Sequence, residues 1–180
     1  MVLRAPPDRL TMSLAEHAPT SSRLTFRRMR PDDLDDMARL LGDPTVMTHY
    51  PRPKTRAEAL DWIRWNEANY ARDGFGLWIL HDGTGAFVGD CGLTWQQVDG
   101  EEHLEVGYHL LPAFQGRGLA TEAAAACRDL ARARGIGRLI AITRPDNVPS
   151  QRVAERIGLT FERETVSHGG VRVHVHGAAL

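Results

Sequence analysis

A glycine-rich turn near the middle of the chain has the residues that an anion-binding site needs. Residues 105–123 read EVGYHLLPAFQGRGLATEA, in which a β-rich run stops at Pro112 and a helical pattern follows the glycines. The first amides of a helix have no intrahelical partner and lie at the positive end of its dipole. Gly116 and Gly118 lack a Cβ, so a phosphate can approach the main chain closely, and Arg117 adds a charge contact from the side. The turn is therefore suited to a pyrophosphate.

The glycines alone allow other interpretations. A Walker loop requires Gly-Lys followed by Ser or Thr, and no such tripeptide occurs in the chain. A dinucleotide fingerprint requires Gly or Ala at Thr121, and an acid about 20 residues later, where Ala141 and Ile142 stand. An ordinary turn that begins a core helix also fits, because short glycine motifs match often by chance. The residues around the glycines decide between these interpretations.

Two motifs at a plausible separation resemble those of the GNAT N-acetyltransferase family. Residues 115–120, QGRGLA, are similar to its acetyl-CoA motif, Gln/Arg-x-x-Gly-x-Gly/Ala. Residues 147–159, NVPSQRVAERIGL, are similar to its second motif, Asn-x-x-Ser followed by a short helix. Residues 23–27 and 42–47 resemble the opening of the branch that contains the ribosomal-protein serine and alanine N-terminal acetyltransferases. The resemblance runs from about Arg23 to the end of the chain.

The resemblance implies a binding site for acetyl-CoA. The main chain at Tyr108, His109 and Leu110 would pair with the pantetheine arm like an added strand, and an amide near Leu110 would polarise the thioester carbonyl. Asn147 would bind the pantetheine, and Ser150 would lie near the sulfur. The pyrophosphate would be held at the motif and the first helical turn, which comprise Gln115, Gly116, Arg117, Gly118, Leu119, Ala120 and Thr121.

Acetyl transfer to an amine also needs a base, because a protonated amine cannot attack. Glu105, on the strand that leads to the turn, is the candidate; the alternative is a solvated strand residue or a salt-bridge partner. The tyrosine acid of many GNAT enzymes is absent, since Ala154 stands at its position. Ser150 is the substitute candidate, although it could equally be the N-cap of the helix that follows.

The elements that must position these residues can be predicted from periodicity. Helical spacing and caps indicate helices over residues 31–42, 55–70, 115–134 and 150–157. Strands are predicted over residues 23–27, 75–81, 86–96, 103–111, 138–143, 161–167 and 171–176. The order indicates a mixed α/β (α+β) fold, and the resemblance implies a GNAT-type fold with a splayed, mostly antiparallel sheet flanked by about four helices. Residues 1–22 are expected to be a flexible tail before a single domain over 23–180.

Composition limits the class of protein and its location. The net charge of −1 gives no general attraction to nucleic acid or an anionic membrane. Apolar runs are too short to span a bilayer, and two cysteines do not form a disulfide framework, so a cytoplasmic monomer or homodimer is expected.

Several other residues have weaker claims to chemistry. Cys91 is a candidate nucleophile without an evident activating group, and His174 and His176 lack a third metal ligand, so no metal is expected. His103 and His109 share a strand face with Glu105, and either could line the acceptor site or tune the base. Trp95 could border the acceptor site. The acids of the turn near Asp99, Glu101 and Glu102 could attract a cationic acceptor, although a solvated turn is the plainer interpretation.

The prediction from sequence is an acetyl-CoA-dependent N-acetyltransferase. Its acceptor would be a primary amine, either a protein N-terminus or a small molecule, acetylated directly within a ternary complex. Two alternatives remain: a catalytically idle acyl-CoA-binding domain, and a transferase that uses a longer donor such as succinyl-CoA.

Overall fold

A computed structural model describes residues 18–167 and 169–180. Within them the elements follow the predicted order, β-α-α-β-β-β-α-β-α-β-β. The helices are α1 (Leu34–Gly42), α2 (Arg56–Asp73), α3 (Leu119–Ala133) and α4 (Val148–Arg156). The strands are β1 (Leu24–Arg28), β2 (Leu77–Asp82), β3 (Phe87–Val98), β4 (Glu101–Leu110), β5 (Arg138–Thr143), β6 (Thr160–Val166) and β7 (Arg172–Ala179).

The predicted tail lies mostly outside the described residues. Of residues 1–22, the structure describes 18–22, where the hydroxyls of Ser21 and Ser22 donate to the carboxylate of Glu122 on α3. The backbone N–H of Arg23 donates to the same carboxylate at 2.8 Å. The start of β1 is thereby held against the first turn of α3.

The sheet is mostly antiparallel and is splayed at one place, as predicted. The strand order is β1-β2-β3-β4-β5-β7-β6. β4 and β5 are parallel and share one backbone pair, Glu105 with Ile140, whereas β3 and β4 pair along the whole of β4. Beyond Glu105 the two parallel strands diverge. The divergence opens a gap between the two halves of the sheet.

Successive side chains of each strand point to opposite faces of the sheet, and helices cover both faces. Even-numbered residues of β4, such as Val106 and Leu110, pack in one core with Leu119 and other residues of α3. The opposite face is covered by α1 and α2, where Ile63 packs with Ile79 of β2. Since successive strand residues face opposite sides, Glu105 and His109 project toward the α1 and α2 layer.

Close backbone contacts fix part of this packing. A Cβ at Gly92 of β3 would lie 2.0 Å from the carbonyl oxygen of Gly76, so the strand accepts only glycine there. α2 begins with a capping box between Thr55 and Glu58 and ends at Gly74, which has a φ of 76°.

The loop between α1 and α2, residues 43–55, is held at both ends. The carboxylate of Asp43 accepts the N–H groups of Thr45 and Val46 at 2.7 and 3.1 Å. The N–H of Lys54 donates to the carbonyl of Leu41 at 2.8 Å. Tyr50 therefore stands on an ordered loop that passes over the open side of the sheet.

The turn before α3 changes one predicted boundary. α3 begins at Leu119 and not at Gln115, because Pro112–Phe114 form a 3-10 turn and the two following glycines have positive φ angles. In the described part of the chain, no helix combines the length and the apolar character that crossing a bilayer requires.

Candidate active site

The gap between β4 and β5 is the entrance to a cleft of about 930 Å³. Its walls come from both strands, the amino-terminal ends of α3 and α4, and the loop of residues 43–55. All of the predicted site residues except Arg117 line this cleft. The fold therefore brings together residues that lie up to 45 positions apart in sequence, from Glu105 to Ser150.

The glycine turn has the backbone geometry that an anion site requires. Gly116 and Gly118 have φ angles of 72° and 78°, in the left-handed region that other residues rarely adopt. No atom lies within 4 Å of a Cβ built at Gly116, so a ligand can approach the main chain there. The first backbone bond of α3 runs from the N–H of Glu122 to the carbonyl of Gly118, at 3.0 Å. The amides before Glu122 are therefore left for a ligand, which fits a diphosphate.

The two polar side chains of the turn do not face this ligand position. The side-chain amide of Gln115 donates to the carbonyl of Leu110 at 2.9 Å, which braces the turn against the end of β4. The guanidinium of Arg117 lies 5.5 Å from the centre of the Phe114 ring. The backbone carbonyl of Arg117 accepts from Arg23 at 3.1 Å. In this structure the turn presents backbone N–H groups to the cleft, and the charge of Arg117 lies outside its lining.

The start of α4 assigns the capping role to Asn147. Its side-chain oxygen accepts the N–H of Ser150 at 3.3 Å, so the interpretation of Ser150 as the N-cap is wrong. The predicted helix start at Ser150 is also two residues late, since α4 begins at Val148. Among the described residues no partner for the Ser150 hydroxyl is found, although the residue lines the cleft. The phenol of Tyr108 donates to the Ser150 carbonyl at 2.8 Å, linking β4 to α4.

Glu105 stands at the point where the two strands part, half-buried in the cleft. Burial raises the pKa of its carboxyl from the ordinary 4.5 to about 7, while a hydrogen bond from the Ile142 N–H and the charge of His109 partly oppose the rise. A carboxyl with a pKa near neutrality is matched to proton transfer at neutral pH. These surroundings are not those of a solvated strand residue.

A buried hydrogen-bonded chain lies beside Glu105 on the same face of β4. Asp90, which is fully buried, accepts from His109 Nδ1 at 2.7 Å and from Trp62 Nε1 at 3.2 Å. His109 Nε2 is 2.6 Å from the hydroxyl oxygen of Tyr50. Burial lowers the pKa of His109, but its interactions with Tyr50 and Asp90 outweigh that effect and hold it well above its ordinary value. The contact with the buried Asp90 carboxylate favours the imidazolium form of His109, which can donate from both ring nitrogens.

Sequence reasoning missed most of this chain. It placed His109 beside Glu105 but gave no role to Asp90, Trp62 or Tyr50. The register of the β3–β4 hairpin, which sets Asp90 opposite His109, is the one signal that could have found the ion pair. No local pattern indicates that Tyr50, 59 residues from His109, contacts its ring.

Several weaker candidates lie away from the cleft. Cys91 is fully buried, and burial raises the pKa of its thiol well above the ordinary value, which removes the thiolate that a nucleophile requires. Trp95 is partly buried and packs against the core, with its ring centre 6.5 Å from that of Phe75. His103 does not line the cleft, and its Nε2 lies 3.6 Å from the Glu101 carboxylate.

Asp99 of the acidic turn and His174 contact residues of β6 and do not line the cleft. The carboxylate of Asp99 accepts from the guanidinium of Arg163 at 2.9 Å and from the hydroxyl of Thr165, both on β6. His174 lies 3.4 Å from a carboxylate oxygen of Glu164. Among the described residues, no group of three or more His, Cys, Asp or Glu side chains is placed to hold a metal ion.

Comparison with known proteins identifies one family for most of this chain. The sequence model described as the acetyltransferase (GNAT) domain matches residues 23–160. The uncharacterised protein YkkB of Bacillus subtilis (strain 168) is 38% identical over 142 residues, which are 76% of this chain and 83% of that protein.

Solved structures share the fold over nearly the full length. An acetyltransferase from Agrobacterium tumefaciens str. C58 has a TM-score of 0.79 and 26% identity, with 95% of this chain and 99% of that chain covered. RimL, a ribosomal L7/L12 alpha-N-protein acetyltransferase solved in complex with coenzyme A, has a TM-score of 0.74 at 20% identity, with 90% and 97% covered. At that identity the likeness to RimL concerns the fold.

Proposed function

Since the chain belongs to the GNAT acetyltransferase family, whose domain model matches residues 23–160, we propose that it transfers an acetyl group from acetyl-CoA to a primary amine. The observation that carries the proposal is the position of Glu105, a carboxyl with a raised pKa at the point where the sheet opens. The idle-domain alternative would leave this arrangement without a use.

The donor would lie in the gap between β4 and β5. Backbone groups at Tyr108, His109 and Leu110 would pair with the pantetheine arm, and the free amides around Gly116 and Gly118 would hold the pyrophosphate. RimL, which has the same fold, was solved with coenzyme A, and this supports coenzyme A as the carrier of the donor. Three arginines of the opposite wall, Arg144, Arg152 and Arg156, are available to its phosphates.

Glu105 would act as the base. Acetyl-CoA supplies an acyl thioester, and only an unprotonated amine can form the new N–C bond. The Glu105 carboxylate would take the ammonium proton directly or through a water molecule. With a pKa of about 7, roughly half of the molecules hold the ionised form at neutral pH.

Ser150 would return a proton to the departing sulfur. As the C–S bond breaks, the thiolate needs a donor, and the Ser150 hydroxyl is free of the capping role that Asn147 fills. The hydroxyl would donate directly or through a water molecule, and it would regain a proton from the attacking nitrogen, which loses its second proton as the amide forms. Ser150 and Glu105 line the same cleft and come from opposite sides of the gap.

Thiol release from acetyl-CoA tests the proposal. The purified protein is incubated with acetyl-CoA and a panel of N-terminal peptides and small amines, and free thiol is followed by a colorimetric reagent. Release that requires an acceptor, with a matching acetylated product by mass spectrometry, is the expected result. Micromolar binding of acetyl-CoA by calorimetry with no release for any amine would support an idle binding domain. Faster turnover with succinyl-CoA would support the longer donor.

A further inference from the structure

An aromatic wall borders the cleft on the side of α2 and the 43–55 loop. It consists of Tyr50, His109, Trp62 and Trp65, whose successive ring centres are 5.6, 5.9 and 5.2 Å apart. Tyr50 is 41% exposed and Trp65 37% exposed, so both ends of the wall present ring surface to the cleft. Large aromatic rings left open in a cleft offer binding area to an apolar or flat molecule.

The wall is held in position from behind. His109 is fixed between the fully buried Asp90 and the Tyr50 hydroxyl, with contacts of 2.7 and 2.6 Å. Trp62 donates to the same Asp90 carboxylate, and the Lys54 ammonium lies 5.3 Å from the Trp62 ring centre. The rings of Tyr50, His109 and Trp62 are therefore ordered before a ligand binds, and Trp65 packs against the Trp62 ring, so little conformational entropy is lost on binding.

The cleft has a single carboxylate to offer an ammonium group. Among the described residues that line it, Glu105 is the sole acidic side chain. The nearby carboxylates are already engaged: Asp90 with His109, Asp99 with Arg163 and Thr165, and Asp146 with His49 and Arg144, at 3.4 and 3.9 Å. A second ammonium group in the cleft would find no free carboxylate and would lose its hydration without compensation.

On the basis of the proposed acetyl transfer, we propose that the acceptor is a primary amine with one positive charge and an apolar or aromatic body that lies against Tyr50 and Trp65. Glu105 takes the proton of that single ammonium, and the rings bind the rest of the molecule. Polyamines and aminoglycosides, which carry several ammonium groups, are excluded because a single carboxylate of the described residues lines the cleft. An N-terminus followed by neutral, apolar residues belongs to the accepted class.

Matched pairs of amines test this inference. Benzylamine is compared with 1,4-bis(aminomethyl)benzene, and butylamine with 1,4-diaminobutane, because each pair differs by one aminomethyl or amino group. We expect kcat/KM for each monoamine to exceed that of its diamine by about tenfold or more, since the second charge is desolvated without a partner. A diamine used as well as or better than its monoamine would overturn the inference and leave acetyl transfer standing.

Binding measured without turnover separates the two proposals. Calorimetric titration of the same amines into the protein with coenzyme A should show the same preference for monoamines. Selective binding with no acetylation of any amine would refute the transfer and leave the preference of the cleft standing. Equal binding of monoamine and diamine would overturn the preference.

Two variants assign the effect to the wall. Trp65→Ala should raise KM for benzylamine about tenfold through loss of ring contact, without changing KM for acetyl-CoA. Phe161→Ala is the control, because Phe161 is a comparably exposed aromatic residue (54%) on β6 outside the cleft lining. Equal KM values for benzylamine in Trp65→Ala and the wild type would overturn the role of the wall.

Discussion

Replacement of Glu105 by Gln should make the protein less active and, above neutral pH, more stable. Gln has nearly the same shape and retains an acceptor oxygen for the Ile142 N–H, but it carries no charge. Because burial raises the pKa of Glu105 to about 7 in the folded protein, the folded state binds the proton more tightly than the unfolded chain does. Stability therefore falls as the pH rises from about 4.5, and the full penalty is present above about 7.

The size of the penalty follows from the two pKa values. The difference between 4.5 and about 7 corresponds to about 3 kcal/mol, at about 1.4 kcal/mol for each pH unit. Denaturant unfolding at pH 8.5 should thus find Glu105→Gln more stable than the wild type by up to about 3 kcal/mol, whereas at pH 4.5 the difference should be small. Glu102→Gln, at an exposed position on the same strand, is the control. It should leave the free energy of unfolding unchanged at both pH values.

Kinetics provide the second half of the test. The wild-type kcat/KM should rise with pH through an apparent pKa near 7, as the base loses its proton. Glu105→Gln should lower kcat/KM about 10²- to 10⁴-fold at pH 7.5 and remove that limb of the profile. An equal stability difference at both pH values would refute the raised pKa of Glu105. Persistence of the rise of kcat/KM near pH 7 in the variant would refute its role as the base.

Three further substitutions test other parts of the site. Ser150→Ala should lower kcat about 100-fold with an unchanged melting temperature, because the cap uses the backbone N–H and not the hydroxyl; normal turnover would remove the proton-donor role. Gly118→Ala and the control Gly135→Ala, with φ angles of 78° and 71°, should each lose about 1 kcal/mol of stability on denaturant unfolding. Only Gly118→Ala should weaken coenzyme A binding in calorimetry, by about tenfold. His109→Ala should lower the free energy of unfolding by about 3 kcal/mol, because it leaves the buried carboxylate of Asp90 unpaired. Adding Asp90→Asn should recover most of that loss in denaturant unfolding. Losses that add in the double variant would argue against the ion pair.

The parts of the fold that local chemistry determines could be predicted from the sequence. Gly116 and Gly118 occupy left-handed positions that need glycine, and the strand-to-helix junction around them follows from Pro112 and the apolar periodicity. The order of the eleven helices and strands in the described residues follows from the same periodicity and turn residues. The boundaries of α3 and α4 were less accurate, because 3-10 turns and side-chain caps are decided by contacts of single atoms.

Contacts between distant segments could not be predicted in this way. The Asp90–His109 pair depends on the register of β3 on β4, and the Tyr50 contact depends on the path of a loop. The raised pKa of Glu105 likewise depends on burial by elements far from it in the chain. Glu105 could be singled out as a carboxylate at the right place, but its proton affinity is a property of the folded cleft.

The single backbone pair between β4 and β5 gives this protein two unpaired strand edges in its interior. Exposed edges on a protein surface invite pairing with other chains and aggregation. Here both edges face a cleft whose walls include the amino-terminal ends of α3 and α4 and the 43–55 loop. Any molecule that bonds to both edges joins the two half-sheets. Such a molecule would make the halves unfold together, and at 100 times its Kd it would add about 2.7 kcal/mol to the stability of the domain.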